Sequence, residues 1–430
     1  MTCFQKRREA MAALLDRKDG VFLLTTSTVK RRNGDVYYPY RPDSYFYYLT
    51  GFTETEAICL IKKSAGRVYS VLFCQAPDPQ HSRWHGPVMG PDTAKQQLHF
   101  DAAYPISDFD TIAPQYLESA QRCYTIANQQ AHWQARFSKR FASDPRLSTW
   151  HDATPAIDTL RLFKDATEIA VMKEAAAVSV AAHIAAMAHT KPGISESAVE
   201  GAFLATCHQH GARHVAYESI VAAGDNACIL HYTRNQATLH SGDLLLVDAG
   251  AEFEYYASDI TRTYPINGVF TAEQRALYEV VLDAQQAAIE AAKIGTPWKT
   301  LQTISELEIT KGLVRLGILT GNAKCLQAYG EHKRFYMHGV GHWLGLDVHD
   351  VGKYTTRSGA SRIIEPGMVF TIEPGIYIDR GHTDVPQKWH GIGIRIEDDV
   401  HISNQGAEVL TGALPRQPAD IEALIGSHYG

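Results

Sequence analysis

Residues 241–250 read SGDLLLVDAG, and residues 365–375 read EPGMVFTIEPG. In each stretch a turn with a glycine precedes a run of apolar residues, and a carboxylate, Asp248 or Glu373, ends that run. Aspartate and glutamate are seldom buried without a partner, so a charge at the end of an apolar strand calls for an explanation. The two stretches predict a duplicated unit whose matching strands face each other across a centre.

Each of these stretches follows a pair of segments with helical spacing. The first pair is separated by the turn Lys191-Pro192-Gly193 and the second by Gly295-Thr296-Pro297. The four segments that we predict to be helices are residues 166–188, 195–210, 272–294 and 299–316. A helix–helix–strand unit that occurs twice predicts an α+β domain with an internal pseudo-twofold repeat.

The N-terminal part of the chain alternates strand-like and helix-like segments. Residues 21–25 and 68–74 are short, rich in β-branched or aromatic residues, and bounded by turn residues, which predicts strands. Residues 92–98 and 112–120 have a more helical character. Thr154-Pro155 marks a break. We therefore expect an α/β domain over residues 1–155 and the α+β domain with the repeat over residues 156–430.

The bulk composition excludes several classes of protein. The chain has 430 residues, a net charge of −6 and no long basic run, which argues against nucleic acid as a partner. Its seven cysteines are scattered, so we expect neither a disulfide framework nor a zinc knuckle, and a cytoplasmic location. The N-terminus predicts an amphipathic helix rather than a signal peptide. The apolar stretch 175–188 contains Ser179 and His183 and is expected to be too short to span a membrane.

Two pairs of carboxylates follow from the strand pattern. A hairpin would place Asp248 and Asp259 opposite each other on one face, where their repulsion calls for a proton or a cation between them. The alternative is that both aspartates face solvent. Glu373 and Glu397 form the equivalent pair in the second copy. Glu397 could instead form an ion pair with Arg395 on the same strand face, and both roles can hold together.

Residues 338–350 read HGVGHWLGLDVHD and lie, in sequence, between the two copies of the repeated apolar stretch. Two glycines between His338 and His342 argue against a helical zinc motif. Three histidines beside four carboxylates favour a site, whereas for His231 a structural role is about as well supported by the pattern alone. Four carboxylates and one imidazole suit manganese, cobalt or iron better than a thiolate-type zinc site, with manganese the first choice, and bridging carboxylates would hold two ions about 3.5–4 Å apart.

These motifs resemble the pita-bread metallopeptidases, and within them the bacterial aminopeptidase P group. The resemblance covers most of the chain. The runs that carry it are YPYR at 38–41, FYYLTGF at 46–52, ILHYT at 229–233, VDAG at 247–250, SDITRT at 258–263, residues 338–352, TIEPG at 371–375 and residues 391–399.

The resemblance assigns roles to individual residues. It implies that two divalent ions are bound, with Asp259 and Glu397 bridging them, and that Glu373 also takes the proton of the attacking water. The five implied metal ligands are Asp248, Asp259, His342, Glu373 and Glu397. His231 and His349 would bind the substrate and steady the oxyanion, with His338 alongside.

Further residues are implied to support this centre. Arg395 and Tyr377 would orient the ligands, together with Asp35 from the N-terminal domain, and Trp84 resembles a tryptophan that lines the entrance. Residues 86–90, GPVMG, depart from the arginine-containing run of the bacterial enzymes, which leaves the N-terminal rim and its subunit contacts open.

The activity implied by the resemblance is release of the N-terminal residue from peptides with proline in second position. A prolidase, which cuts only Xaa-Pro dipeptides, is the alternative within enzymes, and a non-catalytic relative is the alternative of another class. We further expect peptide substrates, no membrane partner and a homo-oligomer, either a dimer or a tetramer.

Overall fold

The computed structural model describes residues 2–14, 19–137, 144 and 149–426. The chain forms two compact units, Met1–Arg161 and Leu162–Gly430. The boundary expected after residue 155 lies within the helix Thr154–Leu162.

The described residues form strands and helices of mostly modest length. The strands are β1 Gly20–Thr25, β2 Arg31–Asn33, β3 Val36–Tyr37, β4 Ile58–Ser64, β5 Arg67–Cys74, β6 Ala102–Pro105, β7 Arg122–Thr125, β8 Trp150–Asp152, β9 His214–Val215, β10 Ile220–Ala223, β11 Leu244–Asp248, β12 Ala251–Phe253, β13 Tyr256–Ala257, β14 Thr261–Pro265, β15 Val369–Ile372, β16 Gly375–Ile378, β17 Ile392–Arg395, β18 Asp398–Ser403 and β19 Gly406–Val409. The α-helices are α1 Cys3–Leu14, α2 Ser44–Thr50, α3 Pro79–His85, α4 Gly90–Gln97, α5 Phe109–Leu117, α6 Gln130–Phe137, α7 Thr154–Leu162, α8 Ala166–His189, α9 Glu196–Gln209, α10 Ala272–Ala291, α11 Trp298–Arg315, α12 Ala323–Tyr329 and α13 Pro418–Gly426.

The first unit is built on a six-stranded mixed sheet in the order β6-β5-β4-β1-β7-β8. β4 pairs antiparallel with β1 and β5, whereas β6, β7 and β8 join in parallel. Phe109 of α5 and Trp133 of α6 pack in the core of this unit. The α/β character expected of this part is confirmed, and the strands expected at 21–25 and 68–74 are β1 and β5.

The second unit contains the predicted duplication. α8 packs on α9, and α10 packs on α11. After the first helix pair in the sequence, β11 pairs antiparallel with β14. After the second helix pair, β15 pairs antiparallel with β18. The apolar strands of both copies are fully buried, which agrees with their lack of alternating polar residues. The α+β fold with an internal repeat is therefore confirmed.

Helix α8 is longer than the apolar stretch expected from the sequence. It has 24 residues and a mean hydropathy of 1.5 over its most apolar window, so its length and composition would allow it to cross a membrane. The expectation of insufficient length was made for residues 175–188 alone, and the whole helix exceeds that stretch. The two polar residues of the stretch 175–188 bind backbone: Ser179 Oγ accepts from Ala251 N (2.9 Å) and the ring of buried His183 donates from Nε2 to Ala249 O (2.9 Å). These contacts identify α8 as a core helix that holds the end of β11.

A buried ion pair joins the two copies of the repeat. Arg262 of β14 donates from Nη2 to Asp398 Oδ1 of β18 at 2.8 Å, and neither side chain is exposed to solvent. Arg262 Nη1 also donates to the carbonyl oxygen of Glu397 at 2.7 Å. Without Arg262 the fully buried Asp398 would keep only the partly exposed Arg416, 3.3 Å away, as a cation partner, and its charge in the core would be poorly compensated.

We therefore expect Arg262→Met to lower the free energy of unfolding by about 3–5 kcal/mol, because Asp398 would lose its fully buried cation. Denaturant unfolding followed by circular dichroism measures this. The control is Arg275→Met, which removes a partly exposed ion pair with Glu422 and should cost no more than about 1 kcal/mol. Equal stability losses in the two variants would contradict the assignment.

Candidate metal centre

The strand registers bring the four carboxylates together. In the first copy Asp248 lies opposite Thr261, and the same register continues into β12 and β13. It places Asp259 opposite Gly250, so the two aspartates are diagonal neighbours on one face. The sequence pattern predicts that they lie directly opposite each other, and that part of the prediction is wrong. In the second copy Ile372 lies opposite Asp398 and Gly375 opposite Arg395, which places Glu373 directly across from Glu397.

Two glycines permit the close backbone approach on which this arrangement depends. A Cβ atom on Gly250 would lie 1.7 Å from the carbonyl oxygen of Ser258, just before Asp259. A Cβ atom on Gly341 would lie 1.9 Å from the carbonyl oxygen of Thr371. Any side chain at these positions would push apart the segments that carry the ligands.

His342 is held in a defined orientation beside β15. Its backbone N–H donates to Thr371 Oγ1 (3.0 Å), and its carbonyl accepts from Thr371 N (2.9 Å). The ring donates from Nδ1 to the Trp343 carbonyl oxygen at 3.1 Å. Nε2 therefore faces the carboxylates, 3.3 Å from Asp259 Oδ2 and 3.6 Å from Glu373 Oε1. A second hydrogen bond that fixes the ring is typical of histidines that bind metals.

One cavity of about 450 Å³ is lined by all five predicted metal ligands. Ligand atoms of Asp259, His342 and Glu397 lie within 4.8 Å of one another. Asp248 and Glu373 line the same cavity. The other predicted site residues that line it are His231, His338, His349 and Arg395.

Burial and the charge of Asp259 disfavour the charged forms of Asp248, Glu373 and Glu397, whereas the hydrogen bond to His342 helps to lower the pKa of Asp259. Burial, followed by the charge of Asp259, raises the pKa of Glu397 well above its usual range. Burial raises the pKa of Glu373 to about 7. Burial lowers the pKa of His342, but the hydrogen bond to Asp259 and the charge of Glu373 outweigh it and raise that pKa to about 9. A divalent cation would relieve this repulsion, which is the electrostatic environment of a metal site.

Arg395 binds the first copy of the repeat rather than its strand neighbour. Its Nη2 donates to Asp248 Oδ2 (2.6 Å), Nη1 to the Tyr377 hydroxyl (2.9 Å) and Nε to Thr261 Oγ1 (3.1 Å). The sequence left open an ion pair between Arg395 and Glu397, but the guanidinium hydrogen bonds are made to these three other groups. Arg395 and Tyr377 therefore orient Asp248.

The three histidines around the ligands differ in their surroundings. The Tyr377 hydroxyl donates to His338 Nε2 at 2.8 Å, and His338 Nδ1 donates to the Gly339 carbonyl oxygen at 2.9 Å. Burial, then the nearby Arg395, lowers the pKa of His338 to about 4, so this ring is neutral. The His349 ring meets His342 edge-to-face with centroids 4.3 Å apart. The exposed ring of His231 also faces the cavity.

Sequence reasoning missed several residues that hold the ligands in place. The Tyr217 hydroxyl lies within hydrogen-bonding distance of both aspartates, 2.6 Å from Asp248 Oδ1 and close to Asp259 Oδ1, and can donate its one proton to either. Thr261 Oγ1 donates to Glu397 Oε2 at 2.7 Å. Asp399 accepts from Ser258 Oγ at 2.8 Å and from the Asp259 amide. Thr261 and Asp399 lie in runs that carry ligands, but Tyr217 lies in an irregular segment before β10 with no signal of its own.

Two predicted site residues belong to the first unit. Trp84 lies in α3 with 80% of its surface exposed, and Asp35 is exposed in the turn between β2 and β3. All the residues of the cavity described above belong to the second unit. The roles expected for Trp84 and Asp35 stay predictions.

Comparison with known proteins gives consistent matches over the chain. The sequence profile of metallopeptidase family M24 matches residues 170–404, and that of the aminopeptidase P N-terminal domain matches residues 4–125. The Xaa-Pro aminopeptidase of Haemophilus influenzae is 42% identical over 98% of this chain and 96% of its own length.

Solved structures agree with these sequence matches. The aminopeptidase PepP of Pseudomonas aeruginosa superposes with a TM-score of 0.95 at 42% identity, over 99% of this chain and 98% of its own. A variant of Escherichia coli aminopeptidase P in complex with substrate superposes with a TM-score of 0.94 at 38% identity, over 99% of this chain and 98% of its own.

In the metal-free protein we expect Glu373→Gln to weaken the dependence of stability on pH. Because burial raises the pKa of Glu373 from 4.5 to about 7, the folded protein keeps a proton that the unfolded chain releases. The stabilising contribution of this group is full below its unfolded pKa and is lost as the pH rises through its folded pKa.

The free energy of unfolding of chelator-treated protein, measured between about pH 5 and pH 7.5, should therefore fall less steeply in the variant than in the parent. Glu365→Gln, in the exposed turn before β15, is the control and should keep the parent's slope. A Glu373→Gln slope equal to that of the parent would rule out this origin of the pH dependence.

Proposed function

This chain belongs to metallopeptidase family M24, and we propose that it releases the N-terminal residue from peptides with proline in second position. The observation that carries the proposal is the cavity in which four carboxylates and His342 converge, in a chain that is 42% identical to an Xaa-Pro aminopeptidase over 98% of its length. Peptides with a free N-terminus are the substrates.

We propose further that the centre holds two divalent ions, most suitably Mn²⁺ because its donor set is rich in oxygen. The donor atoms of Asp259, His342 and Glu397 are already close enough to share an ion. The residues that would hold the pair are Asp248, Asp259, His342, Glu373 and Glu397. Divalent ions in such a site supply Lewis acidity toward the scissile carbonyl and lower the pKa of water to near neutrality.

The side chains around this centre would have separate roles in the reaction. Glu373, whose pKa burial raises to about 7, is suited to accept a proton from the attacking water near neutral pH. His231 and His349 face the same cavity and would donate hydrogen bonds to the oxyanion. His338 is kept neutral by burial and by the nearby Arg395, is bound by the Tyr377 hydroxyl and lines the same cavity, so it would complete this polar wall.

Proline in second position fits a site of this kind. A prolyl amide has no N–H, so a peptidase that grips that hydrogen cannot use it. A centre that acts on the scissile carbonyl needs no such grip. We infer that the N-terminal amine and the carbonyl are the groups that the centre recognises.

Prolidase activity is less well supported, because a prolidase has to bind the carboxylate of a C-terminal proline. Among the cavity-lining residues in the described part of the chain, Arg395 is the only arginine or lysine. All three of its nitrogens donate to Asp248, Tyr377 or Thr261. The guanidinium is thus committed to the ligand side, and a substrate that continues past proline is favoured. The full ligand set also argues against a non-catalytic relative.

We also propose a cytoplasmic, homo-oligomeric enzyme, either a dimer or a tetramer. All seven cysteines are free thiols, as expected of a reducing compartment. Trp84 and Asp35 are proposed to contribute to substrate binding, in keeping with the motifs in which they occur.

Titration of dialysed protein with Mn²⁺ should give two ions per subunit, since each strand pair contributes two carboxylates. Asp248→Ala should lower this stoichiometry. His349→Ala is the matched control: it should keep both ions but reduce turnover about 100-fold, because it acts on the substrate and not on the metals. A parent that binds no metal, or loss of metal in His349→Ala, would contradict these roles.

Rates on three peptides test the substrate class directly. In manganese buffer, Ala-Pro-Ala should be cleaved much faster than Ala-Pro or Ala-Ala-Ala, because the site accepts a chain beyond proline and Arg395 is not free to bind a proline carboxylate. Fast cleavage of Ala-Pro with inert Ala-Pro-Ala would make the enzyme a prolidase. Equal cleavage of Ala-Ala-Ala would remove the preference for proline.

A further inference from the structure

A buried carboxylate outside the metal centre binds the loop that carries His231. Glu196 is the first residue of α9 and is fully buried. Its carboxylate accepts four hydrogen bonds, all from uncharged groups. Oε1 accepts from Ala223 N (2.8 Å) and Asn226 Nδ2 (3.0 Å), and Oε2 accepts from Tyr232 Oη (2.8 Å) and Ala237 N (2.8 Å).

The positions of these donors show what the carboxylate does to the chain. Ala223 ends β10, and Ala237 lies where the chain returns to the segment before α9. The Glu196 amide also donates to the Ala237 carbonyl oxygen at 2.9 Å. One side chain therefore fastens both ends of the loop 224–236 and, through Tyr232, the residue next to His231.

His231 depends on this loop for its place. Among the residues that the structure describes, no hydrogen bond holds the His231 ring, which is exposed and faces the cavity. Its neighbour Tyr232 is buried in a cluster that also contains Tyr377. The imidazole is thus positioned by the backbone and by Tyr232, and not by a partner of its own.

Burial makes the fastening rigid. A carboxylate taken out of water is costly unless its acceptor sites are filled, and the four donors fill them. Any movement of the loop would withdraw donors from a buried charge. The loop and the carboxylate therefore hold each other in place.

We infer that Glu196 is a positioning residue for the reaction: it fixes the loop 224–236 so that His231 meets the substrate. The inference rests on the proposed function, in which His231 binds substrate. A merely structural carboxylate at the start of a helix would stabilise α9 without affecting His231 in particular.

Glu196→Gln tests this in the manganese-loaded enzyme. The side-chain NH₂ of glutamine is itself a donor and would face the N–H and O–H groups that now donate to the carboxylate. kcat/KM for Ala-Pro-Ala should fall about 10- to 100-fold, as expected when a catalytic group is misplaced. kcat and KM of Glu196→Gln should change in the same directions as those of His231→Ala. The metal content of Glu196→Gln should equal that of the parent. The double variant should be no slower than His231→Ala alone, whereas multiplying effects would overturn the inference.

Tryptic cleavage after Arg234, an exposed residue of the loop, gives a readout that needs no turnover. Mass mapping should show faster cleavage there in Glu196→Gln than in the parent. Glu273→Gln, which removes an acidic residue from the first turn of α10, is the matched control and should behave as the parent in both assays. Parent-like kcat/KM in Glu196→Gln, with His231→Ala impaired, would overturn the inference.

A milder variant decides the matter if Glu196→Gln does not fold. Tyr232→Phe removes one of the four donors and should produce a smaller loss of kcat/KM and a smaller increase in cleavage after Arg234. Parent values for both would overturn the inference. A parent that cleaves no Xaa-Pro peptide would instead overturn the proposed function, and the tryptic assay would still decide whether Glu196 fastens the loop.

Discussion

Repulsion among four buried carboxylates is the constraint on which the second unit depends. Asp248, Asp259, Glu373 and Glu397 line one cavity, where burial strengthens the interaction between like charges. Without compensation the folded state would have to protonate them or move them apart. The hydroxyls of Tyr217 and Thr261, the ring of His342 and the guanidinium of Arg395 provide part of that compensation. Divalent cations are the natural source of the remainder.

The compensating groups cross between the two copies of the repeat. Arg395 of the second copy pairs with Asp248 of the first, and Arg262 of the first copy pairs with Asp398 of the second. Both pairs are buried, so separating the copies would leave charges unpaired in the core. The same contacts that set the ligand positions therefore also hold the domain together, and ligand geometry and folding stability are coupled.

The substrate side is organised differently from the metal side. His338 is held by Tyr377, which also binds Arg395, so its place is tied to the ligands. His231 stands on a loop that Glu196 fastens through the neighbouring Tyr232. An enzyme that acts before proline has no amide hydrogen to grip, so under the proposed roles the placement of these rings against the carbonyl would carry more of the recognition.

Local pattern alone determined much of this protein. Helical spacing predicted α8 to α11 closely, and apolar runs that end in Asp248 or Glu373 predicted the strands that carry ligands. These features are encoded within a few neighbouring residues, where side-chain period and turn preferences act directly.

The tertiary structure decided the rest. The diagonal rather than facing arrangement of Asp248 and Asp259 depends on strand register, which the hairpin fixes only when its faces pack. Tyr217 binds an aspartate 31 residues away, and Arg395 binds one 147 residues away. Glu196 looked like an ordinary acidic residue in the first turn of a helix. No local pattern encodes such partners, because hydrogen bonds between distant segments form only when packing brings donor and acceptor within about 3 Å.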